Sequence, residues 1–173
     1  VIDVGGEYDP ETNRFDHHQR GGAGERENGI PFSSFGLVWK KYGLALCDDN
    51  QAVADRVDSG LVSTIDAIDC GHVEGVSKGI SLSQTISMFN PTWEEESNFD
   101  TCFDEAVEFA ARMLIRFIAS AHGSVNAKEI VAKAIENADD ARVIVLEKYT
   151  PWKKTVHILS SEALYMVYPS HSG

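Results

Sequence analysis

Basic residues are scarce in this chain. Its 173 residues include 15 Lys and Arg against 27 Asp and Glu, a formal charge of −12. That balance is a poor match for a protein that grips nucleic acid through a broad basic face. A nucleic-acid reading therefore needs the carboxylates far from the site, or some of them neutralised by bound metal. Cysteine is scarce too: Cys47, Cys70 and Cys102 are widely spaced, with no CxxC. This argues against a disulfide framework and against a zinc ribbon, and a reducing compartment is the default. No stretch reaches the ~18 apolar residues of a membrane span. The start, VIDVGGEYDP, has neither the basic nor the long apolar region of a secretory signal. No repeat or low-complexity tract is present. An HExxH peptidase motif is missing as well, so a peptidase reading has little support.

What remains is an ordinary globular composition, 43% hydrophobic and 9% aromatic, enough for one compact domain or part of a larger protein. VIDV opens without a polar lead-in or initiator Met, and YPSHSG stops abruptly. The expectation is a chain truncated at both ends.

VIDV (1–4) is rich in β-branched residues and reads as a short buried strand ending at Gly5-Gly6. EYDPETN is a turn, RFDHH resumes as a strand end, and Arg20 to Pro31 is a Gly-rich charged loop. Ser33 or Ser34 caps a helix running to about Tyr42 and stopped at Gly43. Asp48-Asp49 caps the next helix. Val53, Val57, Leu61, Ile65 and Ile68 form one apolar stripe on it, and Gly71 ends it. Residues 72–98 read as irregular. One amphipathic helix follows through Phe103–Ile118, and a second from about Asn126 to Asn137. RVIVLE (142–147), TVHILS (155–160) and ALYMVY (163–168) read as three strands, with a PWKK turn between the first two. The order predicts an α/β fold: a parallel sheet flanked by helices over 1–98, then a mixed α+β part over 99–173.

Three acidic or histidine-bearing segments converge if VIDV and RFDHH share one sheet: Asp3, the run Asp16-His17-His18, and Asp66/Asp69. Active sites in such sheets collect at the carboxyl ends of strands. Carboxylates with an imidazole suit Mn²⁺ or Mg²⁺, with Zn²⁺ less favoured because no thiolate is placed to join. Adjacent histidines project to different sides, so one of His17 and His18 is expected to hold metal and its neighbour to donate to a phosphate oxygen. Each piece has an ordinary reading: Asp-His-His as a surface turn, Asp3 as a turn cap, Asp66 and Asp69 as a solvated helix end. The last two sit at the wrong end of a helix dipole, at a cost of about 0.3–1 kcal/mol each, which a cation would remove. Ser33 and Ser34 either cap their helix or present hydroxyls to a phosphate. The Lys40-Lys41 and Lys153-Lys154 pairs either track a phosphate backbone or are solvated surface, and Trp39, Trp93 and Trp152 either stack on bases or are ordinary core and rim.

The segments VIDVGGEYDPETNRFDHHQR, PFSSFGLVWKKYG, STIDAIDCG, SMFNPTW, VIVLEKYTPWKK and YMVYPSHSG, in that order along the whole chain, resemble the melanocyte proliferating gene product family. That family is in turn similar to the DHH phosphoesterases, which include RecJ-type exonucleases, oligoribonucleases and family II pyrophosphatases. The resemblance implies a DHH-like sheet domain over 1–98 and the start of a substrate-side domain over 99–173. It implies a metal-dependent phosphodiesterase, a 3′–5′ RNA exonuclease with two Mn²⁺ or Mg²⁺ ions. The substrate implied is single-stranded RNA or a short oligonucleotide. The setting implied is intracellular and not membrane-bound: nucleus and mitochondrion in a eukaryote, cytoplasm in a bacterium. By position, Asp3 matches the bridging aspartate, Asp16 the orienting aspartate, His17 a metal ligand and His18 the phosphate contact. Asp69 matches the last ligand, with Asp66 as the alternative. Gln19 and Arg20 match substrate contacts. Cys70 stands where the family usually has Asn. The family's opening motif, of the form HxGxFHxDE, is not matched here, and its ligands are expected upstream of Val1. His72, His122 and His157 read as ordinary residues; His171 lies in a family-like segment. A small-phosphate hydrolase and a non-catalytic binding protein are the alternatives.

Overall fold

A computed structural model of the chain describes residues 1–72, 81–96 and 98–170. His171 lies outside the described residues. The chain divides into two compact units, 1–118 and 119–173.

The first unit begins with a tight hairpin. Strands β1 (Tyr8–Asp9) and β2 (Arg14–Phe15) pair antiparallel across the Asp9-Pro10 turn. Asp9 closes that turn by accepting from the Glu11 amide at 3.0 Å and the Thr12 hydroxyl at 2.7 Å. VIDV departs from the expected buried strand. Ile2 makes a single parallel bridge to Phe15, and Val1, Ile2 and Val4 are each more than half exposed. The backbone pairing is real, with the Asp3 amide on the Phe15 carbonyl at 2.9 Å. No described element covers the apolar side chains, so the β-branched pattern alone did not bury them.

Helix α1 (Ser34–Leu46) follows, running past Gly43, which lies against the Trp39 ring and allows no side chain there. Helix α2 (Gln51–Val57) is capped by Asn50, whose side chain accepts from the Val53 amide at 3.2 Å, rather than by Asp48-Asp49. It continues through one π-helical turn (Asp58–Val62) into helix α3 (Ser63–Asp69). The buried positions step 53, 57, 61 and then move to 62, 66, because the wider turn admits an extra residue and rotates the face that follows. The core of this unit is built from Phe15, Leu37, Trp39, Val53, Val57 and Val62.

Residues 81–87 are not irregular. Helix α4 (Leu82–Ser87) starts in a capping box between Ser81 and Gln84. Helix α5 (Phe99–Glu136) is one continuous helix of 38 residues where two were expected. Gly123 interrupts its propensity but not its path; a helix-interior glycine costs only about 1 kcal/mol.

In the second unit, β3 (Val143–Val145) and β4 (Tyr165–Val167) pair in parallel. The segment between them, expected as a strand, is helix α6 (Lys153–Leu159). Parallel neighbours need a crossover, and TVHILS supplies it as a helix with Thr155 and Val156 buried. Its core joins Val131, Leu146 and Val156, with Trp152, Ala163 and Met166 packed against them. The chain is thus a mixed α/β protein dominated by helix. Among the described residues, the sheets are two-stranded, one antiparallel and one parallel.

Candidate metal centre

Asp3, Asp16-His17-His18 and Asp69 meet around the His17 ring. The hairpin carries the first two segments: β2 ends at Phe15, so the next three residues leave the sheet together, while the Asp3 amide is tied to Phe15 itself. Asp3 adopts φ 61°, a left-handed conformation that aspartate tolerates better than most residues.

Asp16 is the anchor. It is 2% exposed, and its carboxylate accepts from the Gly6 amide at 2.6 Å, the His18 amide at 3.0 Å and His18 Nδ1 at 2.7 Å. The Gly6 amide first, then the His18 amide, stabilise the carboxylate and hold its pKa far below the ordinary carboxylate range. Asp16 in return raises the His18 pKa above its usual value, by its hydrogen bond first and then by its charge, with Asp3 and Asp69 adding to the effect. With Nδ1 committed to Asp16, Nε2 is the His18 nitrogen left for another partner.

His17 lies between two carboxylates. Nε2 is 3.4 Å from Asp69 Oδ2, and Nδ1 is 3.4 Å from Asp3 Oδ1. Ser34 Oγ stands 3.2 Å from His17 Nδ1 and donates to Asp3 Oδ1 at 2.9 Å. In the tautomer with its proton on Nδ1, His17 donates to Ser34, whose own proton goes to Asp3. In that tautomer the relay orients the ring and leaves the Nε2 lone pair on the Asp69 side.

Asp69 reaches this position because α3 ends on it. Cys70 is the cap, Gly71 takes φ +75°, the His72 amide donates to the Ala67 carbonyl at 2.7 Å and the Gly71 amide to the Ile68 carbonyl at 3.2 Å. That pair of bonds is a Schellman motif. It leaves Asp69 half exposed beside His17. Cys70 Sγ is part-buried, 3.8 Å from the Pro31 carbonyl, and burial first, then Asp69 and Asp66, push its thiol upward in pKa.

Asp66 lies elsewhere. It is fully buried and accepts from the Ser33 amide at 3.2 Å, the Ser33 hydroxyl at 2.6 Å, the Gly36 amide at 3.0 Å and two Arg26 nitrogens, the closer at 2.6 Å. The start of α1 is thus occupied by a carboxylate of the chain itself. Ser33 holds the capping position, but its side chain faces Asp66 rather than the helix amides. Gly36 is required there: a Cβ would stand 2.2 Å from Asp66 Oδ2. Arg26 also pairs with Asp58 and lies over the Phe32 ring, 4.7 Å from its centre. Arg26, Asp58 and Gly36 were not singled out from the sequence; nothing in a Gly-rich loop marks one arginine as the partner of an aspartate forty residues on.

The remaining candidates are scattered. Gln19 Oε1 is buried without a hydrogen-bond partner, and Arg20 is exposed. Lys41 bonds Asn13 Oδ1 at 2.7 Å and the Pro10 carbonyl, while Lys40 stands over the Phe32 ring. Trp39 is core, Trp152 packs in the second unit's core and Trp93 is 91% exposed. His72 and His157 are exposed.

The donor set suits a divalent cation. The ligand-capable atoms of Asp3, Asp16, His17 and His18 lie within 4.8 Å of one another, and so do those of His17, Asp69 and Cys70. Two ligands about 2.1 Å from a tetrahedral ion are about 3.4 Å apart, which is the separation of His17 Nε2 and Asp69 Oδ2. Among the described residues, no helix is long and apolar enough to cross a membrane.

Comparison with known proteins finds a family match along the full length of the chain. Residues 1–173 match the MYG1_exonuc family, described as an uncharacterised protein family (UPF0160). The chain is 27% identical over 209 residues to the MYG1 exonuclease of Rattus norvegicus, covering 100% of this chain and 55% of the relative. It is 31% identical over 186 residues to a MYG1 protein of Caenorhabditis elegans, covering 89% and 54%. It is 29% identical over 176 residues to a MYG1 protein of Chlamydia pneumoniae, covering 98% and 57%. The chain therefore spans about half the length of the curated relatives it matches. No solved structure matches it. By its sequence from the first residue to the last, this chain belongs to the MYG1 family.

Proposed function

We propose that this chain carries part of the active site of a metal-dependent phosphodiesterase, a 3′–5′ exonuclease on single-stranded RNA. The observation that carries the reading is the placement of Asp3, Ser34 and Asp69 around the two edges of one imidazole, His17, with His18 held alongside by a buried aspartate. The relatives named exonucleases support the reaction class.

His17 Nε2 and Asp69 would hold a Mn²⁺ or Mg²⁺ ion, and Asp3, at the other edge of the ring, would offer a carboxylate to a second. Bound metal supplies a hydroxide nucleophile near neutral pH and offsets charge on the phosphate. His18 donates a hydrogen bond to a non-bridging phosphate oxygen, its charge sustained by Asp16. Asp16 positions His18 rather than ligating, because its oxygens are already occupied by three donors. Gln19 and Arg20, which follow directly, are the proposed contacts to the next nucleotide, and Ser34 orients His17. Ser33 belongs to the Asp66 network, and Asp66 is proposed as structural. We assign residues 1–98 to the metal-bearing portion, related to the DHH sheet domain, and 99–173 to the substrate side.

The test uses the full-length protein, Mn²⁺ and 5′-labelled single-stranded RNA. A ladder of progressively shorter labelled products is expected. His17→Ala removes metal binding and the ladder together. His18→Ala keeps the metal and slows turnover by about 10²–10³-fold, the usual loss of one transition-state donor. Immediate release of the label as mononucleotide would reverse the direction of digestion. Wild-type turnover in both variants would overturn the site assignment. The net charge of −12 favours a second reading, a hydrolase of small phosphates, which need no basic track. Pyrophosphate or dinucleotide cleavage without RNA shortening would select it. No turnover of any phosphate ester would leave a binding protein.

A further inference from the structure

We propose that Cys70 is a metal ligand, so that His17, Asp69 and Cys70 form a nitrogen–oxygen–sulfur site suited to zinc-class ions at the Asp69 edge of the centre. This rests on the metal reading above and refines which cation that edge prefers.

Sequence alone suggested that no thiolate was placed to join the site. The fold places one. Asp69 is the last residue of α3 and Cys70 its cap, at φ −84° and ψ 5°, outside the helical repeat. The chain turns there under the Schellman bonds, so two adjacent side chains that would diverge along a helix instead approach the same imidazole. The ligand-capable atoms of His17, Asp69 and Cys70 all lie within 4.8 Å of one another. His17 Nε2 and Asp69 Oδ2 are already 3.4 Å apart, so the sulfur needs to move by no more than about 1 Å to meet bonds of about 2.3 Å. Three protein ligands and one position left for water or substrate is the arrangement of catalytic zinc sites. Sulfur shifts the preference away from Mg²⁺ and Mn²⁺, toward Zn²⁺ and Co²⁺. Cys70 is part-buried beneath the Pro31 carbonyl, which shields it while leaving the Asp69 side reachable. On binding, the S–H bond breaks as the sulfur–metal bond forms, and the proton passes to solvent. Cys47 is fully buried in the core and is not a candidate.

Titration of the metal-free full chain with Co²⁺ tests this. Wild type and Cys102→Ser should both develop visible d–d bands and a near-ultraviolet thiolate-to-cobalt charge-transfer band. Cys70→Ser should keep the d–d bands and lose the charge-transfer band. Its preference for Zn²⁺ over Mn²⁺ should fall by on the order of 10–100-fold, the range seen when even an outer-shell partner is lost. His17→Ala should lose both signals. X-ray absorption on the zinc-loaded wild type, which needs no variant, should show one sulfur at about 2.3 Å. Cobalt d–d bands without charge transfer, or a zinc shell of nitrogen and oxygen only, would overturn the proposal while leaving the metal centre standing. No bound cobalt in the wild type would overturn both.

Discussion

Asp66 accepts five hydrogen bonds in a fully buried site, whereas Asp69, three residues on, is half exposed beside His17. Their substitutions should separate cleanly. Asp66→Asn breaks a buried pair with Arg26 and should cost about 3–5 kcal/mol, read by chemical denaturation, with metal affinity of the folded fraction retained. Asp69→Asn should leave stability within about 0.5 kcal/mol and lower metal affinity by at least tenfold, read by calorimetry. The opposite pattern would make Asp66 the ligand. Asp16 and His18 give the metal-free chain a pH signature. The Asp16 pKa is lowered, so its contribution to stability is present above the ordinary aspartate value and lost as pH falls through its depressed folded value. The His18 pKa is raised, so its contribution is complete below the ordinary histidine value and lost as pH rises through its elevated folded value. The pair should therefore stabilise most between about pH 4 and 6.5. An NMR titration should find the His18 midpoint above its ordinary value, returning toward it in Asp16→Asn; an unmoved midpoint would deny the pairing. At this scale the sequence was informative about residue type and blind to environment. Adjacent Asp, His and His can be read as metal-binding chemistry, but nothing in IDAIDCG says which aspartate faces Arg26.

The elements explain that blindness. A 3.6-residue stripe through Val53, Val57, Leu61, Ile65 and Ile68 assumes one uniform helix, and the π turn at Asp58–Val62 rotates everything after it. Asp66 is carried inward by that rotation and becomes the anion at the start of α1. Gly71 was legible for a local reason, ending α3 in a left-handed turn; α4 was not, because its six residues carry little periodicity and the segment, its Ser81 capping box notwithstanding, reads as irregular. The β-branched TVHILS misled, because parallel pairing of β3 with β4 required a helix between them. Gly71→Ala tests how far the site depends on its turn. A left-handed alanine costs about 1–2 kcal/mol, and a loosened turn frees Asp69 and Cys70 together. The variant should show that loss in denaturation and a parallel loss of metal affinity in calorimetry. Lost stability with unchanged metal affinity would mean the turn does not set the ligands.

At the scale of the whole molecule, the family was legible from ordered motifs spanning the chain, and the α/β class followed from its pattern of elements. The sheet was not, since the apolar face of VIDV does not reveal what covers it, and the described sheets are only two-stranded. The net charge of −12 gains one local meaning once the carboxylates are placed: Asp3 and Asp69 flank the His17 imidazole, where the proposed cation would offset them. The account stands on that cation. Crystals of the chain soaked in Mn²⁺ and measured at the manganese absorption edge test it most directly. An anomalous peak about 2.1–2.3 Å from His17 Nε2 and an Asp69 oxygen is expected. A peak at Asp66, or none within reach of His17, would contradict it.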